Sequence, residues 1–450
     1  MQLILLLGAG VSVPSGLPTA AELTDRLFHD AYHDDGAGNL SPGPDPDPQH
    51  AASDITRRVR ELLRLLRIHD NDDIQRVGLA PRSGGFSTSG AIYRGTSTYE
   101  DLFFLCQQIG LWNIGLSDNS LTTPFMESIE RKAQALLRGP SFEGRLCDLA
   151  TLGDQASFFI ESVVADALRQ KYLAGLDLVG ELAAALTINK LHIVTLNHDT
   201  LLEQYLSSNG LEFIDGFGEP DGDVRWSDDC VYDAPSPRVR VIKLHGSVNW
   251  YSFLRAGRAW TAIPLRADLA PAKDADGKLL TPWSRRPSFL SGINKTVHYG
   301  RGVYGDMHFR FNEVLRRCER MIMSGYGWGD TAISFQLDTW LDRRRTNKIL
   351  LLHEDPRELT ERSLVMASGH DGWVRSGQLV CIKHWLSGKC KEARSKPSSA
   401  RGRRGSRSAI IPAPMVWARP SITRFCSSRD PAASSRFNSS RCCTLGTGTR

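Results

Sequence analysis

Polar residues that could do chemistry follow two apolar runs in the middle of this chain. Asn197 and Asp199 come directly after the run at residues 191–196, and His245 follows the run at residues 239–244. An amide and a carboxylate can hydrogen-bond a polar ligand, and an imidazole can accept a proton near neutral pH. Taken alone, Asp199 is explained equally well as a helix cap, and a lone histidine at the end of a strand is more often structural.

A third group of residues forms a glycine-bearing turn after the apolar run at residues 3–7. Gly8, Gly10 and Gly16 stand between this run and a helical pattern, so the backbone of the turn can approach a phosphate. A dinucleotide-binding dehydrogenase would have glycine or alanine where this chain has Val13, and no loop of the G-x-x-x-x-G-K-[ST] type occurs. The sequence therefore disfavours a hydride-transferring Rossmann enzyme and a P-loop ATPase.

Alternating strands and helices must position these residues. Helical patterns lie between some of the apolar runs, as the crossovers between parallel strands require. We therefore predict an α/β fold, with a Rossmann-like parallel sheet of about six strands and flanking helices. The predicted strands are residues 3–7, 191–196, 239–244, 321–324, 349–352 and 379–382. Because ligand-binding groups gather at the carboxyl ends of such strands, we expect the three groups to meet there.

Two further segments complete the organisation of the chain. Helical patterns dominate from about residue 36 to 188, which we interpret as a helical insertion within a single domain at residues 1–388. Residues 34–49 lack an apolar period and are predicted to form a loop. Ser, Arg, Pro and Gly dominate residues 389–450, which predicts a disordered basic tail, although a frame-shifted readthrough would give the same composition.

Charge is distributed unevenly between the domain and the tail. Residues 389–450 contain 14 Lys and Arg against 2 acidic residues, whereas the chain as a whole carries only +5. Residues 1–388 therefore have a net charge of −7. We expect nucleic acid as a partner only indirectly or through the tail.

Cysteine and hydropathy patterns bear on metal binding and on location. The nine cysteines are scattered, apart from the adjacent Cys442 and Cys443, and no C-x2-C pair is present. We therefore expect no zinc ribbon and no bound metal. The apolar run near the start is far shorter than the roughly 20 residues of a membrane-spanning helix, and no basic flank precedes it. This pattern predicts a cytoplasmic protein without membrane contact.

The order of the motifs resembles that of the sirtuin superfamily. The motif GAG-x-S-x-x-SG-L-P begins at Gly8, T-x-N-x-D begins at Thr195, HG begins at His245, and an SGYG turn follows a later strand. The pattern is most similar to the sirtuin-like NAD-cleaving proteins of bacterial anti-phage systems. The resemblance covers residues 1–35 and about 190–385.

This resemblance implies a site for NAD and a role for each group of residues. The first glycine turn would wrap the NAD phosphates and ribose, and the asparagine motif would lie by the nicotinamide ribose. Asn197 and His245 are the expected catalytic residues, with His245 as the base. The other expected NAD-binding residues are Gly8, Ala9, Gly10, Ser12, Gly16, Thr195, Asp199, Gly325 and Tyr326, the last two on the adenosine side.

Two departures from the sirtuin pattern narrow the expected reaction. Deacylating sirtuins carry an Asp-Phe-Arg segment where this chain has Leu-Pro-Thr-Ala-Ala at residues 17–21, and they usually carry four zinc-binding cysteines. The resemblance therefore implies NAD hydrolysis to nicotinamide and ADP-ribose or a cyclised product, as an effector of anti-phage defence by NAD depletion. A protein deacylase without zinc and a non-catalytic module that binds NAD or ADP-ribose are the alternatives.

Constitutive NAD cleavage would kill the host, so the resemblance also implies control. We expect a homo-oligomer and a separate activating partner, such as a DNA-translocating ATPase or an Argonaute-type protein. The helical insertion is the natural surface for such contacts. The sequence does not specify the trigger, the oligomer or whether the product is linear or cyclic.

Overall fold

A computed structural model describes most of the chain up to residue 383. The described residues are 1–34, 40–42, 51–76, 97–113, 122–137, 148–169, 173–185, 188–266, 272–283, 286–291, 295–361 and 363–383. The tail predicted at residues 389–450 lies outside them.

Strands and helices alternate along the described residues, which confirms the predicted α/β class. Their bounds, in chain order, are β1 (Gln2–Leu7), α1 (Ala20–His29), β2 (Tyr32–Asp34), β3 (Leu40–Pro42), α2 (Ala51–Arg76), α3 (Tyr99–Asn113), α4 (Thr122–Ala133), α5 (Leu149–Ala167), α6 (Asp177–Ala184), β4 (Lys190–Thr195), α7 (Leu201–Ser208), β5 (Phe213–Ile214), β6 (Phe217–Asp221), β7 (Val224–Ser227), β8 (Val239–Lys243), β9 (Tyr251–Arg255), β10 (Arg258–Pro264), α8 (Lys295–His298), α9 (Gly302–Arg317), β11 (Arg320–Ser324), α10 (Thr331–Arg343), β12 (Lys348–His353), α11 (Pro356–Glu361), α12 (Leu364–Arg375) and β13 (Leu379–Lys383). Within the described ranges, no helix combines the length and the apolar character needed to cross a lipid bilayer.

Seven of the described strands form one parallel sheet in the order β13-β12-β11-β1-β4-β8-β5. The six predicted strands are confirmed, and the seventh is the two-residue strand β5 at one edge. β1 lies in the middle of the sheet, and residues 3–7 are at most 1% exposed. A strand buried on both faces favours a mostly apolar sequence, which is why the apolar segments predict this sheet.

The register of the sheet brings the ends of its central strands level. Leu7 pairs with both Ser324 and Thr195, and Thr195 pairs in turn with Lys243. The chain proceeds from β1 toward β4 on one side and from β11 toward β12 on the other, so the topological switch point lies between β1 and β11. Open α/β sheets bind ligands in the crevice beyond the carboxyl ends of the strands at such a point.

The segment between β1 and β4 is largely helical in its described parts. Helices α1 to α6 lie in it, and α3 packs along α5. Strands β2 and β3, between α1 and α2, pair antiparallel, with Tyr32 opposite Pro42 and Asp34 opposite Leu40. The prediction of a loop throughout residues 34–49 is therefore wrong at β3, because cross-strand pairing orders this strand without an apolar period.

A second sheet, which the sequence does not predict, follows β5. Strands β6, β7, β10 and β9 pair antiparallel in that order around a small apolar core. That core consists of Val224, Trp226, Tyr251, Phe253, Ala262, Ala272 and Leu280. In β7 and β9 the inward-facing residues alternate with more exposed ones, so these strands lack the unbroken apolar runs that predict the parallel sheet.

A close backbone approach at the switch point gives a test of the fold. Gly325 has a φ of 69°, and a Cβ at this position would stand 2.5 Å from the backbone nitrogen of Val11. We expect Gly325→Ala to lower the free energy of unfolding by at least about 2 kcal/mol, because backbone strain and steric overlap both oppose the added methyl group. Denaturant unfolding, compared at equal m-value, measures this change.

Gly327→Ala is the matched control, because a Cβ at that position meets no atom within 4 Å. It should change the free energy of unfolding by less than about 1 kcal/mol in either direction. Equal stability of the two variants would show that the turns after β1 and β11 do not pack as described.

Candidate functional site

The turn after β1 carries five of the residues predicted to bind NAD. It consists of two short 3₁₀ helices, Ala9–Val11 and Val13–Ser15, and it ends at Gly16, whose φ of 82° lies in the left-handed region. Ala9 is exposed, whereas the side chain of Ser12 is buried. The turn therefore exposes Ala9 and directs both of its serines, Ser12 and Ser15, inward.

This turn packs backbone to backbone against the turn that follows β11. The N–H of Gly8 donates to Ser324 O over 3.1 Å, and the N–H of Gly10 donates to Gly325 O over 2.9 Å. A Cβ on Gly8 would stand 2.5 Å from Gly325 O, so the contact has no room for a side chain. The structure thus brings Gly8, Gly10 and Gly325 together.

Tyr326 and the N-terminus of α1 flank these turns, and both have polar partners within the protein. Tyr326 is buried in the core, and its hydroxyl donates to the backbone oxygen of Asp330 over 2.9 Å, so that hydroxyl is already engaged within the protein. The N-terminus of α1 is closed by a capping box in which Thr19 and Glu22 accept hydrogen bonds from each other's backbone N–H. The first N–H groups of α1 are therefore already partly satisfied within the protein.

Asn197 lies beyond the end of β4 and connects that strand with the first glycine turn. Its Nδ2 donates to Gly8 O (3.2 Å) and to Ser12 Oγ (3.0 Å), and its backbone N–H donates to Thr195 Oγ1 (3.1 Å). The residue is 8% exposed, and its Oδ1 has no hydrogen-bond partner among the described residues. Because a buried amide oxygen normally accepts a hydrogen bond, this atom is available to a ligand or a water molecule.

Asp199 extends the same hydrogen-bonded network. Ser12 Oγ donates to Asp199 Oδ2 over 2.8 Å, and Asp199 Oδ1 accepts from the N–H of Leu201 over 3.1 Å at the start of α7. The carboxylate thus serves as a helix cap and also fixes the serine hydroxyl. Since the hydroxyl hydrogen points to Asp199, the serine oxygen is left to accept from Asn197.

A buried ion pair, which the sequence analysis does not assign to the site, supports this network from β8. Lys243 Nζ donates to the backbone oxygen of Asp199 and to Glu203 Oε1, the latter over 2.9 Å. Burial raises the pKa of Glu203, and the charge of Lys243 opposes that rise. A lysine near the end of the predicted strand at residues 239–244, between Ile242 and Leu244, is the feature of the sequence that could have indicated such a pair.

His245 follows β8 and belongs to a second hydrogen-bonded group. Its Nε2 lies 2.9 Å from Asp330 Oδ2 and 3.0 Å from Tyr299 Oη, and the Tyr299 hydroxyl donates to the same carboxylate oxygen. Asp330 Oδ1 accepts from the N–H of Ile333 over 3.0 Å, so this carboxylate also caps α10. The side chains of His245 and Asp330 are 4% and 7% exposed.

Sequence reasoning does not assign Tyr299 or Asp330 to the site. Asp330 stands directly before a helical pattern, a position that capping alone explains. Tyr299 lies 54 residues after His245, in a segment without an apolar period. No local signal marks the tyrosine, and only its contacts in the fold identify it.

Burial keeps His245 neutral. It lowers the pKa of the imidazole below its usual value, and the charge of Lys295 lowers it further, whereas Asp330 opposes the shift. For Asp330, burial by itself would raise the pKa, but hydrogen bonds from His245 and Tyr299 hold the pKa of that carboxyl well below its usual range. At neutral pH the pair is therefore a neutral imidazole beside an ionised carboxylate.

Asn197 lines a small cavity of about 10 Å³, which is room for roughly one water molecule. The cavity also lies against Ser12, Thr195, Asp199, Lys243 and Leu176. His245 does not line it, and Gly16 instead lines an open groove of about 300 Å³ beside α1. The two polar groups are neighbours nonetheless, because His198 follows Asn197 and its ring centroid lies 6.2 Å from that of His245.

The helical insertion reaches the first glycine turn through Ser15. Ser15 Oγ donates to Ala174 O over 2.9 Å, and the N–H of Ala174 donates to Ser15 Oγ over 3.0 Å. A Cβ on Gly175 would stand 3.0 Å from the side chain of Pro14, and Leu176 lines the cavity at Asn197. The insertion therefore touches both the turn and the cavity.

A buried histidine beside Tyr299 makes stability depend on pH. Burial lowers the pKa of His308 from 6.5 to about 4, and its ring stacks on Tyr299 with the centroids 3.8 Å apart. Between these two pH values the unfolded chain binds more protons, so the free energy of unfolding falls as the pH falls. We expect His308→Phe, which keeps an aromatic ring on Tyr299, to reduce this slope by up to about 1.4 kcal/mol per pH unit.

Urea unfolding at a series of pH values across this window measures the slope. His29→Phe, at an exposed position of α1, is the control and should leave the slope as it is in the native protein. Equal slopes in the His308→Phe variant and the native protein would mean that the fold does not hold His308 neutral.

No family model matches this chain, and no curated protein matches it either.

Proposed function

We propose that this protein is a sirtuin-like NAD hydrolase, which cleaves the bond between nicotinamide and ribose to give nicotinamide and ADP-ribose or a cyclised product. The observation that carries the proposal is the position of Asn197. Gly8 O and Ser12 Oγ hold its Nδ2, while its Oδ1 accepts no hydrogen bond from the described residues. An amide fixed in this way can accept a hydrogen bond from a ribose hydroxyl or from an attacking water molecule.

The backbone around Asn197 supports a dinucleotide as the ligand. The two glycine turns meet at the switch point of a parallel sheet, where α/β folds bind nucleotides. Their contact leaves no room for a side chain between the two turns. Ala9 is exposed at the outer side of this turn.

The bond to be broken determines what the residues must do. Nicotinamide leaves from a cationic ring, so no strong acid is required, and positive charge develops on the sugar as in glycoside hydrolysis. In the proposed reaction, Asn197 orients the ribose hydroxyls or the water, and Asp199 keeps the Ser12 hydroxyl in place beside it. Neutral His245 accepts the proton that is released when oxygen attacks the sugar carbon.

We propose that the site is closed in the described structure. The cavity beside Asn197 measures about 10 Å³, whereas a ligand pocket occupies roughly 300–1,000 Å³. Binding of NAD therefore requires the loops at this edge of the sheet to move apart. A site that is closed at rest suits an effector whose uncontrolled activity would deplete the NAD of its host.

Because uncontrolled hydrolysis would deplete the NAD of the host, the proposed enzyme requires control by other proteins. We propose a cytoplasmic effector of anti-phage defence that acts as a homo-oligomer with a separate activator, such as an ATPase or an Argonaute-type protein. The contacts of the insertion with Ser15 and with the cavity give an activator a route to the glycine turn. We assign any direct contact with nucleic acid to the basic tail.

Asn197→Ala tests the proposal. We expect nicotinamide release to fall by at least about 100-fold, because the variant lacks the amide that orients the reacting oxygen. Chromatography of the products from purified protein and NAD, alone and with the proteins encoded beside it, measures the rate. Asn209→Ala is the matched control: its amide is exposed at the end of α7 and bonds only the local backbone, so the native rate should persist.

A folded Asn197→Ala protein that releases nicotinamide at the native rate would overturn the proposal. Asn197→Asp, which nearly preserves the shape of the side chain, serves if the alanine variant is unstable. Tight binding of NAD without nicotinamide release under any condition would instead support a non-catalytic module. Transfer of the acyl group from an acylated peptide to ADP-ribose, with release of nicotinamide from NAD, would support a deacylase without zinc.

A further inference from the structure

The hydrogen bonds around His245 allow a single arrangement of hydrogen atoms. Asp330 Oδ2 lies 2.9 Å from His245 Nε2, and the same oxygen accepts the hydrogen of the Tyr299 hydroxyl. A tyrosine hydroxyl has one hydrogen, and an ionised carboxylate has none. The hydrogen between the imidazole and the carboxylate must therefore be on Nε2.

We infer that Asp330 and Tyr299 are positioning residues, which hold the hydrogen of neutral His245 on Nε2 and so leave Nδ1 as the nitrogen that acts as the base. This inference rests on the proposed function, in which His245 accepts a proton. Beyond the proposed function, it specifies the ring nitrogen that accepts the proton and the two residues that determine this nitrogen.

Hydrogen bonds to both oxygens fix the orientation of the Asp330 carboxylate. Oδ1 accepts from the N–H of Ile333 over 3.0 Å at the start of α10, which leaves Oδ2 to face His245 and Tyr299. The side chain is only 7% exposed, so little water can compete for these bonds. A carboxylate fixed by a helix terminus therefore keeps the imidazole in one orientation and one tautomer.

Aromatic stacking holds Tyr299 in place. Its ring stacks on that of His308 with the centroids 3.8 Å apart, and it lies 6.0 Å from the ring of His245 at an interplanar angle of 18°. Its oxygen lies 3.0 Å from Nε2 and can accept a share of that N–H, while its hydrogen goes to Asp330. The tyrosine thus completes the hydrogen bonds of the carboxylate without giving a proton to the imidazole.

The proton balance of the step follows from this arrangement. When Nδ1 accepts a proton from a substrate hydroxyl or from water, an N–H bond forms, an O–H bond breaks, and the imidazole becomes a cation. Asp330 stays ionised, and its oxygen 2.9 Å from Nε2 stabilises that cation. Two further charges act on His245: Lys295 opposes the cation, and Glu100 favours it.

Asp330→Asn tests the tautomer directly. Asparagine caps helices as well as aspartate does, but its amide can donate to Nε2, so we expect the hydrogen of His245 to move to Nδ1. Imidazole ¹⁵N chemical shifts in the full-length protein show which nitrogen carries the hydrogen, and the loss of one signal set in His245→Gln assigns them. We expect hydrogen on Nε2 in the native protein and on Nδ1 in the variant.

The same variant should lose activity because its kcat falls. We expect kcat for nicotinamide release to fall by about 10²–10⁴-fold, with KM changed by less than about 3-fold, because the base is then in the wrong tautomer. Tyr299→Phe keeps the carboxylate and should lose about 10-fold in kcat. Asp148→Asn, the same substitution at the cap of α5, is the matched control and should retain both the kcat and the His245 shifts.

Hydrogen on Nδ1 in the native protein would overturn the inference, and so would a folded Asp330→Asn protein with native shifts and native kcat. Asp330→Ser, which also preserves a capping residue, replaces the asparagine variant if that one unfolds. The shifts are measured without NAD. If His245 carries its hydrogen on Nε2 in the native protein but the protein never releases nicotinamide, the proposed function is contradicted. The assigned tautomer then still stands.

Discussion

Two turns meet through glycine backbone at the carboxyl edge of the sheet, between β1 and β11. The N–H of Gly10 donates to Gly325 O, and a Cβ on either Gly8 or Gly325 would collide with the opposite backbone at 2.5 Å. Because the turns touch through backbone alone, little can shift one relative to the other while the sheet is intact. Asn197 is anchored to the first turn and Asp330 follows the second, so both groups of polar residues depend on this contact.

Burial determines the energetics of these groups. A buried polar atom without a partner costs about 1–3 kcal/mol, so the hydrogen bonds hold each side chain in one arrangement. Asn197 Oδ1 lacks a protein partner among the described residues, so a hydrogen-bond donor in the small cavity beside it, such as a water molecule, would be stabilised there. Trp328, with a left-handed φ of 57°, adds backbone strain just before Asp330.

Strands buried on both faces can be predicted because such burial favours a mostly apolar sequence, as at residues 3–7. The edge strand Phe213–Ile214 is too short to form a recognisable sequence pattern. Helix α9 begins at Gly302, and glycine weakens the helical pattern of the sequence there. Asn197 can be placed at the edge of the sheet because it follows a predicted strand directly. Tyr299 cannot, since its place in the site comes from contacts with distant elements, which no local pattern encodes.

The insertion leaves and rejoins the sheet between two neighbouring strands, β1 and β4, whose pairing begins at Gln2 and Lys190. The sheet is therefore continuous without the inserted helices, which can be lengthened or exchanged with no change of register. The insertion is nevertheless tied to the glycine turn, because Ser15 and Ala174 bond each other. A displacement of the inserted helices is consequently transmitted to that turn through these hydrogen bonds. Inserted helices of a different shape can transmit a displacement in the same way.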